Sequence, residues 1–296
     1  MLSHFRDIFQ RHTHPMAPIP TGLKPAGAAR HPVKAVLFDV YGTLLISASG
    51  DLGGIRDPGP VDENGYERDT SAALLLLAKS HGLSFSPEKL VKAYVKAVEA
   101  NHARNKKQGI DFPEVRIDEI WAKVLGTSDI RAARRFALEF ELIINPVHPM
   151  PGLKETIETI SHAGIRMGII SNAQFYTPLM FGYFCGKTPE KIGFDPDLCI
   201  YSYRYGHAKP SPSLFGAAAD RLLQCGIDCK NVLFVGNDMR NDMAPAKASG
   251  FQTALFAGDR RSLRLRRDDP QTNSLIPELV ITELPQIPAR IGLGRI

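Results

Sequence analysis

Short apolar runs alternate with amphipathic helical patterns along most of this chain. The runs are rich in β-branched residues and read AVLFDV, RMGIIS, VLFVG, QTALFAG and LVIT. The segments between them, such as PGLKETIETISHAG and SPSLFGAAADRLLQCG, repeat apolar positions every three to four residues, as amphipathic helices do. This alternation predicts an α/β fold built on a doubly wound parallel sheet with helices on both faces.

The pattern changes between Ser47 and His148, where only helical segments are indicated. The clearest helical segment has Ser86 as N-cap, Pro87 at its first position and Gly109 as its stop signal. An insertion of about a hundred residues after the first strand is long enough for a separate domain. We therefore expect an all-helical domain here, with the single tryptophan, Trp121, in its core.

The first 32 residues differ in composition from the rest. Leu2, Phe5, Ile8 and Phe9 have roughly helical spacing, and five prolines follow before residue 33. We expect a short helix and then a solvated extension. The helix could dock on the body or on a second copy of the chain, which leaves a homodimer open.

Composition and charge exclude several classes of protein. The 296 residues carry a net charge of +5, but residues 1–34 hold five basic residues and one acid, so only +1 remains for the body. A nearly neutral body argues against a nucleic-acid partner. No apolar run approaches the roughly 20 residues that span a bilayer, and the N-terminus lacks a secretory h-region. We expect a cytoplasmic protein with reduced cysteines, although an organelle transit sequence stays open.

Polar residues that could bind a ligand or take part in a reaction follow the predicted strands or precede a predicted helix. They are Asp39 after the first run, Ser171 and Asn172 after the second, Asn237, Asp238 and Asp242 after the third, and Lys209 before a helix. Parallel sheets place their active sites at the carboxyl ends of the strands. Oxygen ligands suit a divalent cation and donors suit a phosphoryl group. The sequence thus indicates a site for a phosphorylated small molecule.

Four segments in a fixed order carry a family resemblance. They are FDVYGTL, IISNA, AKPSP and VGNDMRND. Together with the helical insertion, they closely resemble the haloacid dehalogenase superfamily of hydrolases and phosphotransferases. The resemblance implies a Rossmann-like core of residues 33–46 and 148–290 and a helical cap of residues 47–147, after the extension of residues 1–32.

The resemblance also implies roles for individual residues. Asp39 matches the family's nucleophile, which forms a covalent aspartyl intermediate. Thr43 and Ser171 match the hydroxyls that bind the phosphoryl group, with Asn172 beside them. Lys209 matches the lysine that neutralises the charges of nucleophile and phosphoryl group.

The acidic segment matches the family's magnesium site with one departure. Asn237 stands where phosphatases of this family usually place their first acid, while Asp238 follows directly and Asp242 matches the second acid. We expect Asp39, the backbone oxygen of Tyr41 and Asp238 to hold Mg²⁺, with Asn237 and Asp242 bound directly or through water.

A second departure concerns Tyr41, which replaces the aspartate that protonates the leaving group in most of these phosphatases. A phenol with a pKa of about 10 is a poor acid at neutral pH. The D-x-Y-G-T form resembles that of the metal-independent 2-haloacid dehalogenases, although their tyrosine six residues after the lysine is Phe215 here. We favour a Mg²⁺-dependent phosphohydrolase, with a dehalogenase or a catalytically weak binding protein as alternatives.

Substrate specificity is expected to come from the helical insertion, with the loop 47–60 as its hinge. Its candidate contacts are Arg56, Asn101, His102 and Arg104, for which a solvated helix end is the plainer interpretation. A second basic cluster, Arg260–Arg267, fits either a polyanion or partner subunit, or ion pairs with the neighbouring Asp259, Asp268 and Asp269.

Overall fold

The computed structural model describes residues 2–49 and 70–293. The strands are β1 (Ala26–Gly27), β2 (Ala35–Phe38), β3 (Leu45–Ser47), β4 (Val147–Pro149), β5 (Arg166–Ser171), β6 (Phe194–Tyr201), β7 (Val232–Gly236), β8 (Gln252–Phe256) and β9 (Leu279–Ile281). The α-helices are α1 (Arg6–His12), α2 (Thr70–Ser80), α3 (Pro87–Lys107), α4 (Ile117–Leu125), α5 (Ile130–Ile144), α6 (Leu153–His162), α7 (Thr177–Phe184), α8 (Ser202–Tyr205), α9 (Pro212–Gln224), α10 (Ala244–Ala248) and α11 (Gln286–Arg290). Within these described ranges, no helix is long and apolar enough to cross a bilayer.

Seven strands form one sheet in the order β1-β9-β8-β7-β2-β5-β6. Every neighbouring pair is parallel except the short edge pair of β1 with β9. Alternate residues of β2 and β7 belong to two different apolar clusters, one on each face of the sheet. Burial on both faces explains why these strands are continuous apolar runs. The predicted α/β fold with a doubly wound parallel sheet is confirmed.

Strand β6 is not predicted by the apolar pattern. Asp195, Pro196 and Asp197 interrupt its first half, and such residues are depleted in strands. Its second half pairs with β5, where Ser171 lies opposite Tyr201. This pairing brings Ser202, the residue after the strand, to the same edge of the sheet as Ser171.

Residues 70–144, called the helical insertion below, form the four helices α2 to α5. Helix α3 begins as predicted, because the Ser86 side chain accepts a hydrogen bond from the backbone N–H of Lys89. Trp121 is fully buried and stacks on Tyr94, with ring centroids 5.1 Å apart, which confirms its expected place in the core of the insertion. The strands β3 and β4, on either side of the insertion, pair with each other in a separate two-stranded antiparallel sheet.

The N-terminal helix packs against the body, one of the two positions expected for it, and residues 13–32 after it are half-buried or exposed. Helix α1 lies against α5 of the insertion. Its Ile8 and Phe9 are fully buried, and Phe9 stacks on Tyr183 of α7 at a centroid distance of 4.8 Å. The chain then runs along the core to β1, which pairs with the edge strand β9. The apolar face of α1 is what attaches this segment.

Candidate active site

Three polar residues stand at the carboxyl ends of three neighbouring strands. Asp39 follows β2, Ser171 ends β5 and Asn237 follows β7. Because β2 lies between the other two strands, these residues lie side by side. Parallel sheets bind their ligands at this edge.

One carboxylate oxygen of Asp39 receives two donors. The Lys209 ammonium lies 2.6 Å from Asp39 Oδ1, and the Ser171 hydroxyl lies 3.0 Å from the same atom. Asp39, Ser171 and Lys209 are all buried. Two donors on one oxygen hold the carboxylate in a single orientation, as a nucleophile requires.

Lys209 also donates to the buried carboxylate of Asp242. Burial disfavours the ammonium, but Asp242 and Asp39 outweigh that effect and raise the pKa of Lys209. Burial likewise raises the pKa of Asp242 to about 7, with Lys209 opposing the rise. Lys209 therefore stays cationic at neutral pH and is the positive charge between the two carboxylates.

The other oxygen of Asp242 holds the turn after β7. It accepts hydrogen bonds from the backbone N–H groups of Asn237 and Asp238, both at 3.0 Å. A Cβ atom on Gly236 would lie 2.6 Å from the Asp242 carboxyl carbon. Only glycine allows the strand and this carboxylate to come so close.

Thr43 is joined to the acidic segment through the side chain of Asn237. Thr43 Oγ1 donates to Asn237 Oδ1 at 3.1 Å, and Asn237 Nδ2 donates to the backbone oxygen of Ser262 at 2.6 Å. The amide is thus bound at both ends, with its oxygen on the side of Thr43. Both Thr43 and Asn237 are buried.

Tyr41 contributes its hydroxyl to a hydrogen bond with Thr177 Oγ1 at 2.8 Å. Burial raises the pKa of Tyr41 well above 10. In the part of the chain that the structure describes, no hydrogen bond joins this hydroxyl to Asp39. Such a phenol is a weaker acid than a free tyrosine, so the geometry does not support Tyr41 as the proton donor.

Asn172 holds the backbone of Lys209. Its Oδ1 accepts the Lys209 N–H at 2.6 Å, and its Nδ2 donates to the Lys209 oxygen at 3.4 Å. The side chain predicted to bind substrate therefore has a structural partner. It places the lysine rather than presenting its amide to a ligand.

Asp238 does not behave as the predicted metal ligand. Its carboxylate pairs with the Arg266 guanidinium, with Oδ2 lying 2.7 Å from a terminal nitrogen, and accepts hydrogen bonds from the backbone N–H groups of Arg240 and Asn241. It thus caps the single π-helical turn Met239–Met243. The expectation that Asp238 supplies free negative charge to a cation is not supported, because Arg266 already neutralises it.

The donor set for magnesium is consequently smaller than the sequence predicts. In the described residues, no group of three histidine, cysteine, aspartate or glutamate side chains is placed to hold a cation. Asp238 pairs with Arg266, and both oxygens of Asp242 accept hydrogen bonds, from Lys209 and from the backbone N–H groups of Asn237 and Asp238, whereas Lys209 and Ser171 bond to only one oxygen of Asp39. Asp39, the backbone oxygen of Tyr41 and the amide oxygen of Asn237 remain. This smaller set fits Mg²⁺, which commonly binds one or two carboxylates and completes its shell with water and substrate phosphate.

The substrate contacts predicted in the cap and in the second basic cluster are not brought together in one site by the described residues. Arg56 lies outside the described residues, as does most of the predicted hinge loop 47–60. Asn101 bonds to Asn105 one helical turn away, and His102 is half-buried in the same helix, so neither is shown to contact a ligand. In the second basic cluster, the Arg261–Asp259 pair has the expected local form.

Sequence reasoning missed several residues near this edge, above all Glu114, Gln174 and Ser202. Glu114 lies in the loop between α3 and α4, and accepts hydrogen bonds from the other two. Ser202 follows the strand that the apolar pattern does not predict. No spacing in the sequence relates these three positions, since they are separated by at least 28 residues.

The chain thus has a parallel α/β sheet with a buried carboxylate, Asp39, at the carboxyl edge of its strands. A family model described as haloacid dehalogenase-like hydrolase matches residues 33–250, and the chain belongs to this family. A 2-haloacid dehalogenase from Pseudomonas syringae pv. Tomato DC3000 is similar in structure, with 20% identity, a TM-score of 0.51 and coverage of 88% of this chain and 98% of the other. A HAD phosphatase from Thermococcus onnurineus has 16% identity, a TM-score of 0.50 and coverage of 89% and 100%. No curated protein matches the sequence.

Proposed function

We propose that this chain is a phosphohydrolase that acts on a small phosphorylated molecule through an aspartyl phosphate on Asp39. The observation that carries the proposal is the buried group of Asp39, Ser171 and Lys209. Phosphoryl oxygens need hydrogen-bond donors and positive charge around them, and the hydroxyl and the ammonium supply both. A carboxylate with a fixed orientation supplies the nucleophile.

The reaction divides into two displacements. An Asp39 carboxylate oxygen attacks phosphorus, a new P–O bond forms, and the bond to the leaving group breaks with its electron pair on that group. Water then attacks phosphorus, the acyl phosphate bond breaks, and Asp39 returns as a carboxylate with inorganic phosphate as product. Lys209 balances the negative charge of Asp39 in both steps, while Asp242 keeps the lysine in place.

The leaving group must depart without a proton from residue 41. The Tyr41 hydroxyl is bonded to Thr177, and its pKa is raised by burial. Substrates whose leaving group is a stable anion, such as acyl and aryl phosphates, are therefore favoured over alkyl phosphates.

Magnesium would be held by Asp39, the backbone oxygen of Tyr41 and Asn237. When bound, it neutralises charge on the phosphoryl oxygens. Asp242 then holds Lys209 in place and does not bind the magnesium directly. The cap of residues 47–147, which contains the helical insertion, would close over the site in the catalytic core of residues 33–46 and 148–290.

The experiment that tests this function is phosphate release from acetyl phosphate and p-nitrophenyl phosphate, each with Mg²⁺ and with EDTA. Release should depend on Mg²⁺ and be lost in Asp39→Asn, while Asp197→Asn, which changes an exposed carboxylate of the core, serves as the matched control. Undiminished release by Asp39→Asn would overturn the mechanism. Absence of turnover on every substrate would favour a binding protein.

One observation favours a second candidate, a metal-independent 2-haloacid dehalogenase. The argument for metal from sequence rests on Asp238, and the Arg266 ion pair removes that charge. One residue argues against a dehalogenase. Phe215, which packs on Phe234 in the core, stands where the dehalogenase pattern has a tyrosine. Chloride release from 2-chloropropionate in EDTA is the test for this candidate.

A further inference from the structure

One short loop of the helical insertion, residues 112–115 and called the docking loop below, is hydrogen-bonded to the core. Its Pro113 forms a β-bridge with His207. The Ala208 N–H donates to the Phe112 oxygen at 2.8 Å, and the Glu114 N–H donates to the Gly206 oxygen at 3.0 Å. The docking loop is thereby fixed to the segment directly before Lys209.

The Glu114 side chain reaches the segment after Ser171. One of its oxygens accepts a hydrogen bond from the Ser202 hydroxyl at 2.6 Å, and the same hydroxyl oxygen accepts the Ala173 N–H at 2.8 Å. Ala173 is two residues beyond Ser171. The docking loop therefore holds the segments that carry both donors to Asp39.

Gln174 strengthens this connection. Its amide nitrogen donates to Glu114 Oε1 at 3.2 Å and to the Val115 oxygen at 2.9 Å, while its amide oxygen accepts the Ile117 N–H at 3.0 Å. The Gln174 backbone N–H also donates to Thr177 Oγ1, the partner of Tyr41. The hydrogen-bond network thus extends from the helical insertion to the turn after β2, which contains Tyr41.

Glu114 is an unusual residue for a purely structural contact. Burial raises its pKa to about 7, although the bonds from Ser202 and Val115 oppose the rise. Among the described residues, no lysine, arginine or histidine forms an ion pair with it. A half-buried carboxylate without a countercharge costs stability, and such groups concentrate at functional sites.

We propose that Glu114 is a positioning residue through which the helical insertion places Ser171 and Lys209 around Asp39. It acts through Ser202, Gln174 and the backbone of the docking loop. The donors are then in place only when the insertion is seated on the core. The effect on rate rests on the proposed function, whereas the effect on the two segments does not.

The first test is hydrogen–deuterium exchange of the full chain. Glu114→Ala should increase exchange in residues 171–176 and 204–210, because their N–H groups lose a fixed partner. Glu119→Ala, an exposed carboxylate of the same insertion, should leave both segments unchanged. Exchange that is unchanged by Glu114→Ala, or that rises only in residues 110–118, would overturn the proposal. If Glu114→Ala does not fold, Ser202→Ala tests the same connection.

The second test is steady-state hydrolysis of acetyl phosphate. Misplacing the donors should lower kcat of Glu114→Ala by about tenfold or more while KM changes less, and Glu114→Gln should recover part of the loss because its amide still bonds to Ser202 and Gln174. Equal kcat values for Glu114→Ala and Glu119→Ala would overturn the positioning role. If Asp39→Asn keeps its activity, the proposed function fails and the exchange experiment alone decides this inference.

Discussion

At the scale of single residues, the candidate site shows how the same side chain type serves different purposes. Asp39 and Asp242 share the cation of Lys209, whereas Asp238 has its own cation in Arg266. All three carboxylates lie near one sheet edge. The partner of each carboxylate, and not its place in a motif, determines what it can do.

Tyr41→Phe should leave the hydrolysis of acetyl phosphate nearly unchanged, because the lost hydroxyl bonds to Thr177 and not to Asp39. The free energy of unfolding should fall by about 1 kcal/mol, since Thr177 loses a buried hydrogen-bond partner. Parallel assays of kcat and urea unfolding check this expectation. A hundredfold loss of kcat with unchanged stability would show that the phenol takes part in the reaction.

Asp238→Asn tests the assignment of that residue as a helix cap. The Mg²⁺ concentration for half-maximal hydrolysis of acetyl phosphate should be unchanged, because Asp238 is not one of the proposed magnesium ligands. Asn237→Ala is the comparison variant and should raise that concentration about tenfold or more, as the loss of a metal contact does. The opposite ranking of the two variants would return Asp238 to the metal site.

At the scale of elements, two loops decide the geometry of the site. The loop after β8 binds the acidic segment, since Arg264 N–H donates to the Asn237 oxygen and Ser262 accepts from its side chain. The docking loop binds the segments after β5 and before α9. Neither loop contains a catalytic residue. The docking loop fixes the segments of Ser171 and Lys209, which contact Asp39, and the loop after β8 fixes Asn237, which accepts a hydrogen bond from Thr43.

Glu114→Gln should change the pH dependence of stability. The pKa of Glu114 is raised in the folded state, so its protonated form contributes stability that is present below about pH 4.5 and is lost as the pH rises towards 7. The groups that face it are Ser202, Gln174, the Val115 N–H and Tyr94.

Urea unfolding of wild type and Glu114→Gln from pH 4.5 to 8 measures this effect. The difference in unfolding free energy should shift in favour of the variant over that range, while Glu119→Gln should run parallel to wild type. A pH-independent difference for Glu114→Gln would contradict the raised pKa.

At the scale of the whole molecule, the N-terminal segment ties the parts together. Helix α1 contacts α5 of the helical insertion and α7 of the core, and Asp7 pairs with Arg135 of α5 at 2.6 Å. Further along, the Ile19 oxygen accepts the Arg260 N–H from the loop after β8. One segment thus touches the insertion, the sheet and a loop of the site.

Phe9→Ala should lower the free energy of unfolding by about 3 kcal/mol, because the ring is fully buried and its removal leaves a cavity. Leu76→Ala is the matched control, since Leu76 is 66% exposed in helix α2, and it should have little effect. Thermal or urea unfolding of both variants provides the measurement. Equal stability of Phe9→Ala and wild type would mean that α1 does not hold to the body in solution.

Much of the fold follows from local patterns, and so does part of the site. The runs at β2, β5 and β7 predict strands because burial on both faces selects apolar, β-branched residues. Asp39, Ser171 and Lys209 are correctly predicted to come together, since strand ends in a parallel sheet meet at one edge. Strand β6 is missed because its acidic first half lacks an apolar pattern.

The sequence by itself determined the α/β class, the edge of the sheet that carries the polar residues and the helical character of the insertion. Only the tertiary structure decided that Asp238 pairs with Arg266, that Asn172 holds Lys209 and that Glu114 reaches Ser202. Local patterns record which face of an element is buried, because burial acts on each position along the chain. Hydrogen bonds and ion pairs depend on distances between residues far apart in sequence, and these distances exist only in the folded chain.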